Sequence, residues 1–310
     1  MVTTIWPWVA FLSLIFVLLA LDLGVFHRRP HAIRPREAAF WSAVWIALSL
    51  SFNAFIFVWK GHAPALEFLT GYLIEKALSV DNLFVFVLIF AYFKVPAEYQ
   101  HRILFWGILG ALITRALLIG AGALLLARFE WLIYLFGAFL VFTGFKLTRG
   151  QDEEIHPEGN RIVRLTRRLF PVSKDFDGPR FFTRVDGRRV LTPLFIVLVM
   201  VETTDIVFAV DSIPAIFGVT RDPFIVFTSN IFAILGLRAL YFLLAGVLEM
   251  FEYLNLGLAV VLIFIGAKML LERWVHVPIG VSLGVVFGVL ALTAAASMVK
   301  RRLAQRAGRG

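Results

Sequence analysis

The 310-residue chain contains no cysteine. Disulfides, thiolate metal sites and thiol redox chemistry are therefore excluded. Histidine is scarce too. The six residues, at positions 27, 31, 62, 101, 156 and 276, all fall in segments expected to be loops or span ends. With no Cys and no His at membrane depth, a zinc- or copper-selective intramembrane site is disfavoured. No Ser–His or His–Glu pair is placed for intramembrane hydrolysis, so the expectation is a protein that is not an enzyme and holds no prosthetic group. Charge is also thin: 16% of residues are charged, against about 25% in soluble domains.

Apolar residues fill the space that charge leaves. They make up 60% of the chain, with a mean hydropathy of +0.85. This composition predicts an all-α polytopic membrane protein forming a single integral domain over 1–310. Runs of about 20 residues favour helices over a barrel, whose strands would alternate over about 10. Nine spans are expected, over 6–26, 38–59, 66–92, 102–126, 131–148, 192–217, 223–248, 253–272 and 276–299.

Basic residues orient the spans. Arg28, Arg29, Arg34 and Arg36 follow the first, and the 149–190 loop holds nine arginines and Lys174. The tail carries Lys300, Arg301, Arg302, Arg306 and Arg309. All three groups lie inside if the N-terminus is outside and the C-terminus cytoplasmic. The net charge of +9 then reads as topology and contact with anionic lipid at the cytoplasmic face, rather than nucleic-acid binding. No positive residue precedes the first apolar run, unlike a secretory signal. Within the basic loop, residues 160–170 suit either a helix lying on the inner leaflet or a disordered linker. Asp186-Gly187, between 181–185 and 188–191, signals a hairpin.

Two stretches share a polar pattern. Glu75-Lys76-Ala77-Leu78-Ser79-Val80-Asp81-Asn82 and Asp205-Ile206-Val207-Phe208-Ala209-Val210-Asp211-Ser212 each run acid, five residues, Asp, then a small amide or hydroxyl residue. Carboxylates at a span centre cost roughly 2.5–3.5 kcal/mol each on insertion scales. The match extends further. Arg115-Ala116-Leu117 recurs as Arg238-Ala239-Leu240, Phe129-Glu130-Trp131-Leu132 as Phe251-Glu252-Tyr253-Leu254, and Gly144-Phe145-Lys146 as Gly266-Ala267-Lys268. Repeat one thus covers 66–148 and repeat two 192–272. Helices within 1–59 and the span 276–299 are peripheral. Three spans per copy mean that the copies insert in opposite directions, an arrangement typical of transporters with a midplane site.

On an ideal helix, Glu75, Ser79 and Asn82 share one face and Asp81 lies on another. Asp205 and Ser212 share a face, with Glu202 one turn earlier, and Asp211 aligns with Thr204 elsewhere. Pro214 removes a backbone donor and could break the helix near Val210, freeing carbonyl ligands. This all-oxygen set suits hard cations such as Mg²⁺, Ca²⁺ and Mn²⁺. The candidate metal residues are Glu75, Asp81, Asn82, Glu202, Asp205, Asp211 and Ser212, with Arg115, Arg238 and Asp22 as accessories. The competing structural role is ion pairing of Glu75 and Asp205 with Arg115 and Arg238 to lock the bundle.

At these positions the sequence resembles the TerC family of bacterial integral membrane proteins, Alx type. The resemblance rests on Leu21-Asp22-Leu23-Gly24-Val25-Phe26 and on residues 75–84, 181–187 and 201–217. The family was named for tellurium resistance, and its Alx-type members are similar to manganese exporters with LysE-superfamily-like inverted repeats. The resemblance implies Mn²⁺ efflux across the inner membrane, with Glu75, Asp81, Asp205 and Asp211 in the transport site. Two alternatives stand beside it: an oxyanion transporter using Arg115 and Arg238, and a membrane scaffold delivering metal to partner proteins.

Overall fold

A computed structural model describes residues 5–21, 35–148, 161–185, 187–244, 253–275 and 277–307. In chain order the elements are α1 (Ile5–Leu21), α2 (Pro35–Lys60), α3 (His62–Tyr92), α4 (Ala97–Arg128), α5 (Leu132–Thr148), α6 (Arg161–Leu169), β1 (Phe182–Val185) and β2 (Arg188–Leu191). They continue with α7 (Pro193–Phe217), α8 (Pro223–Leu235), α9 (Leu237–Leu244), α10 (Leu254–Leu271) and α11 (Ile279–Ala307).

Local chemistry explains the helix ends. Pro193 and Pro223 open α7 and α8, where a missing N–H deprives the helix of nothing. Asp222 caps α8 by accepting from the Phe224 N–H at 2.9 Å. Gly61, at φ 97°, takes the turn between α2 and α3 in a conformation that side chains resist. Among the described residues, five segments are long and apolar enough to cross a membrane: 36–60, 97–128, 193–217, 223–243 and 279–300. Helices α1, α5 and α10 are apolar but shorter. Helix α3 is 31 residues long, yet Glu67, Glu75, Lys76 and Asp81 punctuate it. Its place in a bilayer depends on internal partners for those charges.

Two expectations need correction. Helix α7 runs unbroken through Pro214. The proline sits in the last turn, where its own carbonyl still accepts from the Gly218 N–H at 3.0 Å. The break falls instead at Gly236, which divides the expected 223–248 span into α8 and α9. Residues 245–248 lie outside the described set.

Helix α8 is the hub. Every residue from Phe224 to Leu235 is buried, enclosed mainly by α3 and α4. Phe11, Phe52, Phe68, Phe224, Phe227 and Phe232 interlock around it. Large apolar side chains such as Trp6, Phe16, Val58, Leu117, Leu124, Phe142 and Leu292 face outward. An apolar exterior around a buried polar centre is what a lipid solvent selects.

Contacts at the two ends fix helix directions. At one end Lys60 pairs with Asp222, Thr220 donates to Glu67 at 2.6 Å, and Arg221 grips Glu272 at 2.9 Å. At the other, Tyr241 donates to Gln100 at 3.0 Å, and Phe181 contacts both Trp106 and Phe195. The start of α3 therefore lies beside the end of α7, and the two helices run antiparallel. Helix α4 packs on α7, α3 on α8, and α5 on α10.

Candidate functional site

The centre is built around one arginine. Arg115, halfway along α4, has a fully buried side chain. Its Nε and Nη2 donate to the two oxygens of Asp205 on α7, at 3.3 and 2.9 Å. Nη1 donates to Glu75 on α3 and to Asn230 Oδ1 on α8, at 3.0 Å. The Asn230 amide closes the ring by donating to Glu75 Oε2 at 2.9 Å. Four helices thus meet at one charge-assisted network. The forked guanidinium matches a carboxylate in a way that an ammonium cannot.

One guanidinium faces two carboxylates, so the network keeps one uncompensated negative charge if both acids are ionised. The helical faces expected from sequence hold. Glu75, Ser79 and Asn82 are all buried on α3, and Asp205 and Ser212 on α7. The Ser79 and Ser212 hydroxyls are buried without a well-formed hydrogen bond, although Ser212 stands close to Glu75. Buried polar groups in native structures are normally satisfied. The Ser79 hydroxyl, one turn along α3 from Glu75, keeps its oxygen lone pairs free of any hydrogen bond.

The remaining candidates surround this core. Glu202, one turn before Asp205, lies flat against Gly110 of α4, where any Cβ would land on its carboxylate. Asp211 is half-buried and accepts a long hydrogen bond from Thr143 of α5, at 3.4 Å. Arg238 is buried on α9, two residues past the Gly236 break. Asp81 lies in α3, but its side chain is outside the described set, as is all of Asp22. Among the described residues, no group of three or more Asp, Glu or His is placed to hold a metal ion.

Sequence reasoning missed two members. Asn230 joins Arg115 to Glu75; its signal was the polar run Thr228-Ser229-Asn230 within an apolar segment. Lys76 donates to the Ala233 carbonyl at 3.2 Å and lies against Gly236, where a Cβ would approach its Nζ to 2.8 Å. It thus caps the end of α8 where the helix breaks, in the position favoured by a helix dipole.

Known proteins align with most of the chain. A membrane protein of Myxococcus xanthus is 55% identical over 95% of this chain and 92% of its own length. The membrane-bound redox modulator Alx of Escherichia coli K12 is 51% identical over 92% of each chain. A membrane protein of Rickettsia bellii is 40% identical over 96% of this chain and 99% of its own. No solved structure matches. The profile of the integral membrane protein TerC family spans residues 60–305, the stretch that holds every member of the buried network, and the chain belongs to that family.

Proposed function

We propose that this protein exports a divalent cation, Mn²⁺ first, across the bacterial inner membrane in exchange for protons, with its N-terminus outside and its C-terminus in the cytoplasm. It does so as a transporter rather than an enzyme. The observation that favours this reading is a buried polar centre with more carboxylates than cations, Glu75 and Asp205 from antiparallel α3 and α7 around the single Arg115; the ion pairs alone would equally serve to lock the bundle.

The packing supports two inverted three-helix units. A Cβ at Gly144 would meet the Ala259 carbonyl at 2.9 Å, and one at Gly266 the Gly137 carbonyl at 2.5 Å. The displacement that carries Gly144 onto Gly266 also carries Gly137 onto Ala259, so the two contacts exchange under the repeat. The pairing of α3 with α8 mirrors that of α4 with α7. Such units support alternating access around a fixed central site.

Within this reading the acids divide their roles. Arg115 holds Glu75 and Asp205 in place and neutralises part of their charge. Asp81, Asp211, Glu202, Asn82 and Ser212 supply hard oxygen ligands and proton acceptors. The oxyanion alternative weakens, because Arg115 is already spent on two carboxylates and an amide. The redox role in the name of the Alx relatives cannot pass through thiols here, since the chain has none; control of cellular metal content offers another route.

Asp81→Asn and Asp211→Asn test the proposal. Each variant should reach the membrane folded and fail to relieve manganese toxicity in an exporter-deficient bacterium. Full relief by both would overturn it.

A further inference from the structure

The described residues from Arg161 to Leu191 pack as one unit. The backbone after α6 joins the hairpin, with the Leu191 N–H donating to the Pro171 carbonyl at 2.9 Å and the Ser173 N–H to the Leu191 carbonyl at 2.8 Å. Val163 alone of the α6 apolar residues is buried, where α6 packs on α7. Ile162, Leu165, Leu169 and the following Phe170 point outward, while Arg164, Arg167 and Arg168 occupy the rest of the helix. An exposed apolar ridge flanked by arginines is the pattern of a helix lying in a membrane interface.

The hairpin adds a feature that folding alone would avoid. Arg184 and Arg189 are cross-strand partners, and like charges directly opposite each other destabilise a strand pair. With Arg180, both line an open, surface-facing cavity of about 570 Å³ that also includes Phe182 and Thr183. Among the described residues one acid lies there, Asp177, which accepts from Thr183 at 2.7 Å and from Arg180 at 3.5 Å. Three guanidinium groups around a cavity with one carboxylate leave an excess of positive charge, and arginine forks suit phosphate.

The location selects the source of that phosphate. Phe182 is exposed beside the cavity and contacts Phe195 at the start of α7, with ring centroids 5.4 Å apart. Phe181 meets Trp106 on the outward face of α4, and Arg102 lies 5.2 Å over the Phe181 ring. The basic cavity is therefore continuous with an aromatic belt at the end of the membrane-spanning helices, where headgroups lie.

We propose that Arg180, Arg184 and Arg189 bind the phosphate of an anionic membrane phospholipid, while the α6 ridge and Phe182 enter the same leaflet. The strand β2 runs through Thr192 directly into α7, so a bound headgroup anchors the helix that carries Glu202, Asp205 and Asp211. This holds whether or not the cargo is Mn²⁺.

The absence of native cysteine makes the test direct. Leu165→Cys, Leu169→Cys and Arg167→Cys are made singly in the full chain, labelled with an environment-sensitive fluorophore and reconstituted into phosphatidylcholine vesicles with and without phosphatidylglycerol. Labels at 165 and 169 should shift to the blue and be quenched by a headgroup-level nitroxide lipid, and the label at 167 should not. Adding Arg184→Gln with Arg189→Gln should cut the phosphatidylglycerol-dependent part of the quenching by at least half, with an unchanged gel-filtration profile. Water-like emission at 165 and 169 in anionic vesicles would overturn the proposal. So would equal behaviour in both lipids, or the same shift produced in detergent by inorganic phosphate alone. None of these readouts depends on transport, so failure of the export reading would be seen separately.

Discussion

Arg115 Nη2 lies 2.9 Å from Asp205 Oδ1, joining α4 to α7 across ninety positions of sequence inside an apolar bundle. Removing one partner of a buried ion pair strands the other charge and costs about 3–5 kcal/mol. Arg115→Met should therefore lower the thermal stability of the purified protein severely. Adding Glu75→Gln and Asp205→Asn should restore most of it, because no unpaired charge remains. Unfolding in detergent, followed by tryptophan fluorescence, reads both effects.

Gly110 and Gly266 should respond differently to alanine. At Gly110 the new methyl meets the far end of Glu202, which can swing aside, so stability holds while transport falls. At Gly266 it meets the Gly137 carbonyl and the Val141 backbone nitrogen at 2.5 and 2.9 Å. Backbone has little room to yield, and overpacking costs about 1–3 kcal/mol. Melting temperature and Mn²⁺ flux in proteoliposomes, measured on both variants, separate the two outcomes.

Lys76→Met keeps the length of the side chain and removes its charge. The ammonium sits on the end of α8, where a cation contributes about 0.3–1 kcal/mol and up to about 2 kcal/mol in partly buried geometry. A loss in that range is expected on melting, with Lys76→Arg close to wild type.

Orientation can be read with single cysteines. In intact cells a membrane-impermeant maleimide should label Arg221→Cys, in the turn before α8. It should reach Lys174→Cys, beyond α6, only after permeabilisation.

Much of this was legible in the sequence. The hairpin appeared one residue from its expected start, at Phe182–Val185 and Arg188–Leu191, because Asp-Gly between short strands is a strong local signal. For residues 160–170 the sequence left helix and disordered linker both open, and the helix, Arg161–Leu169, is the one observed. Glu75, Ser79 and Asn82 fell on one buried face because helical periodicity dictates it. The choice between ligand and ion-pair roles for Glu75 and Asp205 was not legible. It depends on which arginine reaches them across helices, and Arg115 and Arg238 look equivalent in sequence. Pro214 was a misleading signal. A proline in a last turn removes one hydrogen bond without stopping the helix, whereas Gly236 in an apolar run gave no comparable warning.

The seam between α5 and α10 has a mechanical consequence. Where Gly137 and Gly266 meet, backbone touches backbone, with no layer of side chains between. Val141 on one side and Met269 and Leu270 on the other close around that contact, so the joint has little slack and α5 and α10 are expected to move as one piece. In the proposed transport cycle, opening and closing would then fall away from that joint, towards α3, α4, α7 and α8.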